Sequence, residues 1–144
     1  YRTGEWWKKK CSSKTAIHKV LIDQQRVAGI GNIIAIETLH RSNIHPCTPA
    51  NKLTFTEWNT LASVIRIVVE QSVKHHNSIR EKSLKKYSFD GNLEFVSEGH
   101  TRAKGYQIYG RENEICPKCK KNYIVKVKLG GRPIYLCTTC QQKQ

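Results

Sequence analysis

A chain of 144 residues has room for one compact domain or two small lobes, and 25 Lys plus Arg against 11 Asp plus Glu give it a formal charge of +14. That excess points to a polyanionic partner, nucleic acid before an anionic membrane, and leaves the fold open. No apolar run approaches the roughly 20 residues of a membrane span and no signal-peptide pattern opens the chain, so an intracellular protein is expected.

Residues 1–13 read as an irregular basic lead-in, in which Arg2, Lys8, Lys9 and Lys10 surround Trp6 and Trp7. Such a mixture suits nucleic-acid contact, but adjacent tryptophans are better read as packing against a neighbouring lobe. The chain opens at Tyr1 and contains no methionine, which leads us to expect a fragment or processed product with something missing in front. Cys11 has no cysteine or histidine at ligand spacing and reads as an ordinary thiol.

A short helix is expected from about Lys14 to Asp23, with Ala16, Val20 and Leu21 on one face. A second is expected from about Asn32 to Arg41 through Ile33, Ile36 and Leu39, and Ile44-His45-Pro46 closes the unit. Between the two lies Val27-Ala28-Gly29-Ile30-Gly31-Asn32. Gly29 and Gly31 permit a tight turn and close approach by a foreign backbone, and a helix start offers unpaired N–H groups to an anion. With the Asn32 amide added, the stretch reads as a phosphate clamp, although a Gly-x-Gly turn also serves simply to pack helix on helix.

Residues 47–52 read as linker. Thr54-x-x-Glu57 is a capping box, with Leu53 and Trp58 placed as a hydrophobic staple. Phe55, Trp58, Leu61, Ala62, Ile65, Val68, Val69 and Val73 then recur at helical spacing to about His75 and are assigned to the core. His75 and His76 are adjacent, point different ways on a helix, and are not a metal pair. Another short helix is expected near Ile79 to Tyr87, followed by a loop or hairpin through Lys104.

The carboxy-terminal stretch changes character. Cys116-Pro117-Lys118-Cys119 and Cys137-Thr138-Thr139-Cys140 are two C-x-x-C knuckles separated by 17 residues, the spacing of a tetrahedral zinc site. A pair of disulfides is the alternative, and a reducing compartment disfavours it. Tyr123 to Lys128 alternates as a strand, Gly130-Gly131 turns, and Pro133 to Leu136 returns, placing Arg132 at the tip within reach of a phosphate. So small a lobe buries little apolar surface, so a structural zinc on Cys116, Cys119, Cys137 and Cys140 is expected to hold it together.

These residues carry a resemblance. Lys14-Thr15-Ala16-Ile17, Leu21-Ile22-Asp23-Gln24, Val27 to Ile33, Glu37, Leu39 and Ile44-His45-Pro46 resemble the helix-two-turn-helix of the formamidopyrimidine-DNA glycosylase and endonuclease VIII family. Tyr109-Gly110-Arg111, the four cysteines, Gly131-Arg132 and Cys140-Gln141 resemble that family's zinc finger. The resemblance implies a base-excision-repair glycosylase and AP lyase that flips an oxidised base from duplex DNA, cleaves the glycosidic bond and nicks the abasic strand by β,δ-elimination. It implies that Asn32 and Arg132 hold phosphates beside the extruded nucleotide. The family's nucleophilic amino-terminal proline and adjacent glutamate belong to a preceding lobe; here the chain starts Tyr1-Arg2, so no catalytic residue is assigned and inactivity of the chain alone is expected. Ile34 stands where many members carry tyrosine, and residues 77–82 depart from the family's glycine- and threonine-rich pattern.

The expected fold is therefore mainly α with a small β part: a helix-two-turn-helix bundle followed by a zinc-bound β-hairpin. Its divisions are a lead-in at 1–13, a DNA-binding domain at 14–88, a connecting loop at 89–108 and a zinc finger at 109–144. The expected partner is duplex DNA, preferably damaged or abasic, bound by Asn32, Arg132, Gly29 and Gly31 of a monomer, together with a separate or missing catalytic lobe. A ribosomal-type RNA binder and a zinc-ribbon protein adaptor are the competing classes.

Overall fold

The computed structural model describes residues 2–90 and 106–143. Its elements in order are α1 (Gly4–Cys11), α2 (Ile17–Leu21), α3 (Asn32–Arg41), a 3-10 turn (Ala50–Lys52), α4 (Phe55–Asp90), β1 (Val125–Leu129) and β2 (Arg132–Leu136). The strands form one antiparallel hairpin, so the mainly helical fold with a small β part is observed.

The lead-in is not irregular. Thr3 caps α1 by accepting the Trp6 N–H at 3.2 Å, and Glu5 in the first turn with Lys8 to Lys10 in the last complement the helix dipole. α1 packs along α4 at Gly4, where a Cβ would stand 2.7 Å from the backbone nitrogen of Asn59. Trp7 is buried by this contact and Trp6 lies beside it, so the tryptophans belong to the domain's own core.

α2 is only five residues, shorter than the Lys14–Asp23 expectation. Ile17 with Val20 and Leu21 stand at i, i+3 and i+4 and are buried, and Ala16 pairs with Pro49 in an isolated bridge at the start of the segment. Residues 47–52 are thus no mere linker: Thr48 and Ala50 are buried and bond back to Ile17 and Thr15. α3 has the expected bounds.

α4 starts as its sequence dictates. Thr54 N–H donates to Glu57 at 3.0 Å, Glu57 N–H donates to the Thr54 hydroxyl at 3.1 Å, and Leu53 and Trp58 are buried in one cluster. Two of the residues assigned to its core are exposed, Phe55 at 61% and Val73 at 53%. Phe55 sits on the first turn, before neighbouring elements reach the helix, and Val73 turns away from the stripe formed by Trp58, Leu61, Ile65 and Val68. The short helix expected at Ile79–Tyr87 is a continuation of α4 through Asp90, and residues 91–105 of the expected loop lie outside the described residues.

Two apolar clusters result. The first joins α1, α2, α3 and α4 around Trp58, Leu21 and Leu39; the second joins Ile36 of α3 to Ile108, Ile124, Ile134 and Leu136 of the hairpin lobe. α3 serves both. Ala35 and Leu39 face the helices, whereas the i, i+4, i+8 row of Asn32, Ile36 and His40 faces the hairpin lobe.

Candidate nucleic-acid cleft and metal centre

The turn before α3 is shaped by one side chain. Gln24 accepts the Gly29 N–H at 2.9 Å and donates to the Ile30 carbonyl at 2.8 Å, closing a loop in which Gly29 adopts φ +93°, a conformation that favours glycine. Gly31 is the α3 N-cap and supplies no side-chain cap, and a Cβ at either glycine would meet nothing within 4 Å. No side chain therefore caps the start of α3, whose leading N–H groups have no partner within the helix.

Asn32 is oriented from two sides. Its Oδ1 accepts from His18 Nε2 at 2.7 Å, and its Nδ2 donates to the Pro133 carbonyl at 2.8 Å. The donation to a carbonyl fixes which end of the amide is nitrogen, so His18 must carry its proton on Nε2. His18 is fully buried and its Nδ1 has no partner; burial, with Arg132 and Lys19 nearby, lowers its pKa and keeps the ring neutral. One Asn32 amide hydrogen remains for a ligand.

Pro133 follows Arg132, so the same bond brings the hairpin tip to the turn. Gly130 and Gly131 take φ +58° and +79°, which makes the tight two-residue connection, and Leu129 pairs with Arg132. Lys19 of α2 reaches the tip at Gly130. Together Gly29, Gly31, Asn32, Arg132 and Pro133 line an open cleft of about 540 Å³, with His76, Tyr106 and Tyr109 also in its lining. All four residues expected to hold phosphate are thus brought together across about a hundred positions of chain. The cleft offers N–H donors, an amide and a guanidinium, a chemistry suited to phosphate oxygens.

The hairpin lobe is fastened to α3 below the cleft. The buried Glu37 carboxylate accepts the N–H groups of Gln107, Ile108 and Tyr109 at 3.0, 2.9 and 2.9 Å and pairs with Arg41 at 3.5 Å. Gln141 donates to the Ile44 carbonyl at 2.9 Å and accepts from Cys137 N–H at 3.0 Å. Apart from Arg41, which is the i+4 neighbour of Glu37, these partners are not legible from sequence, because backbone groups recognise a carboxylate or amide without any side-chain motif of their own.

The four expected ligands converge: the Sγ atoms of Cys116, Cys119, Cys137 and Cys140 lie within 4.8 Å of one another. Cys116 to Cys140 spans 3.8 Å and Cys119 to Cys137 spans 3.6 Å. A tetrahedron with metal–sulfur bonds of about 2.3 Å has edges of about 3.8 Å, so the set fits a single metal ion. It does not fit disulfides, whose sulfurs stand about 2 Å apart. The backbone N–H of Lys121, joined by that of Asn122, brings Cys119 down to about 6, while burial and the neighbouring thiols push Cys140 up to about 12. His40, buried at the end of α3, lies 3.3 Å from Cys116 Sγ through Nε2, and burial lowers its pKa to about 4. As a neutral ring it donates to the thiolate, the outer-shell support that metal ligands commonly receive. Cys11, by contrast, is isolated and buried, with its pKa raised to about 11 by that burial, an inert thiol as expected.

Among the described residues no helix is long and apolar enough to cross a membrane. Residues 2–83 match the family described as Formamidopyrimidine-DNA glycosylase H2TH domain. The formamidopyrimidine-DNA glycosylase of Zymomonas mobilis is 38% identical over 136 residues, covering 94% of this chain and 46% of the relative. That of Mycoplasma mobile is 36% identical over 145 residues, with coverage of 96% and 47%. The chain therefore spans about half the length of the curated relatives it matches. A crystal structure of the Lactococcus lactis enzyme non-covalently bound to DNA containing an AP site superposes with a TM-score of 0.67 at 28% identity, over 96% of this chain and 45% of that one. A MutM complex with DNA containing carbocyclic 8-oxo-G gives 0.66 at 31% identity, over 96% and 46%.

Proposed function

We propose, from the premise that this chain belongs to the formamidopyrimidine-DNA glycosylase H2TH domain family, that it grips damaged or abasic duplex DNA as the binding portion of a base-excision-repair glycosylase and AP lyase. Asn32 and Arg132 hold backbone phosphates on either side of an extruded nucleotide, Gly29 and Gly31 allow the strand to approach, and the family's base-release and strand-nicking chemistry is that of the whole enzyme. The observation that carries this reading is the shared cleft, which brings an unblocked helix start, one free amide hydrogen and a guanidinium together from two separate lobes. The metal is zinc, held by four thiolates with no open position, so its role is to fold the hairpin lobe and present Arg132. The setting is intracellular, at DNA.

The test is fluorescence anisotropy of the zinc-loaded chain on a duplex with an abasic-site analogue, alongside intact duplex and structured RNA. Asn32→Ala and Arg132→Ala should each weaken abasic-duplex binding about ten-fold or more, since a charge-assisted hydrogen bond contributes about 1.5–3 kcal/mol, and affinity should fall steeply with salt. Unchanged affinity in both variants, or tighter binding to RNA, overturns the assignment. Borohydride trapping on an abasic duplex separates grip from chemistry: an adduct would place a reactive amine within these 144 residues.

A further inference from the structure

The hairpin lobe carries a surface that phosphate recognition does not use. Of the seven exposed large hydrophobic residues among the described ones, four lie together on it: Ile115 (52%), Tyr123 (57%), Val125 (37%) and Val127 (45%). Tyr123, Val125 and Val127 alternate along one face of β1 and its lead-in, and Ile115 pairs with Tyr123 in an isolated bridge. Aliphatic side chains do not recognise phosphate.

Register defines the edge beside them. Leu129 pairs with Arg132 across the two-residue turn, Val127 with Ile134 and Val125 with Leu136, so the backbone groups of 125, 127 and 129 point to β2. Those of 124, 126 and 128 point the other way. At Ile124 this outer edge is filled, since Ile124 N–H donates to Glu114 O at 2.8 Å and Asn113 N–H donates to Ile124 O at 2.8 Å. Beyond it, among the described residues, β1 pairs with β2 alone. Lys126 and Lys128 therefore offer N–H and C=O groups on an open edge, with exposed ammonium groups on the face opposite the apolar strip.

We infer that the free edge of β1 is a docking site for an acidic partner segment that adds as a further strand, with apolar and acidic residues alternating. Its apolar side chains would lie against Val125 and Val127, and its carboxylates against Lys126 and Lys128. A second copy of this chain is the poorer occupant. Two copies of a +14 chain repel, and lysine-rich edge strands brought side by side oppose like charges, the device by which proteins prevent edge-to-edge pairing. The same lysines that exclude a copy select an acidic strand.

The experiment uses the full chain, zinc-loaded and 15N-labelled, titrated with a blocked peptide of alternating Glu and Val about eight residues long. Expected are shifts at Tyr123 to Lys128 and slowed exchange of the Lys126 and Lys128 amide protons. The pair Lys126→Glu with Lys128→Glu should weaken this peptide at least about ten-fold and bind instead a peptide of alternating Lys and Val. Lys126 also stands 5.8 Å over the Tyr135 ring, so Lys128→Glu alone, which keeps that contact, is the second variant should the pair fail to fold. Shifts confined to the Asn32 and Arg132 cleft, equal affinity for the two peptides, no binding of the Glu-Val peptide, or amide protection arising from self-association without peptide would each overturn the proposal.

Discussion

Glu37→Gln tests how the two lobes are joined. The wild-type carboxylate satisfies four donors: Ile108 and Tyr109 N–H on Oε1, and Gln107 N–H with the Arg41 guanidinium on Oε2. Glutamine keeps one acceptor oxygen, so whichever way the amide turns, its NH2 faces donors. With the oxygen toward Ile108 and Tyr109, the Gln107 N–H and Arg41 lose their acceptor, and the two surviving bonds lose charge assistance. The lost Gln107 bond, charge-assisted and contributing about 1.5–3 kcal/mol, with the lost Arg41 pairing and the weakening of the two surviving bonds, gives a destabilisation of at least about 2–4 kcal/mol, a large share of the 5–15 kcal/mol of a typical domain. Full burial of Glu37 prevents water from substituting. Urea unfolding followed by far-UV circular dichroism, with m checked for constancy, reads the change. A variant within about 0.5 kcal/mol of wild type would refute the view that this carboxylate is the main fastening of the segment at 107–109.

Gly4→Ala should cost about 1–3 kcal/mol in the same assay, because the new Cβ would meet the Asn59 backbone at 2.7 and 2.8 Å, where α4 cannot yield. Removing the metal with a chelator should abolish the near-UV signal of the Tyr109–Tyr135 contact and weaken DNA binding, while the helical signal of α1 to α4 persists; loss of both signals together would show that the helical lobe depends on the metal too. Burial lowers the His18 pKa, so the unfolded chain takes up this proton near 6.5 and the folded chain only at lower pH. Its contribution to stability should therefore be intact above pH 6.5 and fall by up to about 1.4 kcal/mol per pH unit as pH drops below it; a flat urea midpoint between pH 7 and 5 with zinc saturating would count against this.

What could be read from the sequence was whatever is encoded locally. The capping box at Thr54, the bounds of α3, the hairpin turn at Gly130-Gly131 and the cysteine knuckles each rest on a few neighbouring residues with defined backbone demands. The set proposed to contact phosphate was joined in the sequence only by the family resemblance, because nothing in the spacing of Asn32 and Arg132 signals that an amide-to-carbonyl bond brings them together. α1 was missed because lysines and tryptophans obscure helical periodicity, and its capping threonine is one polar residue among several. Phe55 and Val73 were misplaced for the opposite reason: the apolar stripe is helical in period, but only tertiary packing decides how wide a stripe is covered. His18 had no signal, and Gln24 and Glu37 appeared only as members of the family motif with no role attached, since their main partners are backbone groups.

The Asn32 contacts bear on the kind of grip proposed for the cleft. A phosphate clamp assembled from two mobile lobes would have to immobilise both on binding, at a cost in conformational freedom that weakens affinity. Here Asn32 already accepts from His18 and donates to Pro133, so the amide, the helix start and the Arg132 backbone are fixed relative to one another before any strand arrives. Only the Arg132 side chain, exposed at the hairpin tip, remains to be ordered. The i, i+4, i+8 row of α3 extends this fixation to the metal centre through Ile36 and His40, so the cysteine cluster and the cleft stand at opposite ends of one helical face. Loss of the Asn32 amide should then do two things at once: remove a phosphate donor and release the hairpin tip. Asn32→Asp, which shares both losses with Asn32→Ala, adds a test of whether phosphate lies at this side chain. Its carboxylate can still accept from His18 but can donate neither to Pro133 nor to phosphate, and it adds a charge that repels phosphate, so its DNA affinity should fall below that of Asn32→Ala. Equal affinities for the two variants would mean that Asn32 acts only by holding the lobes together.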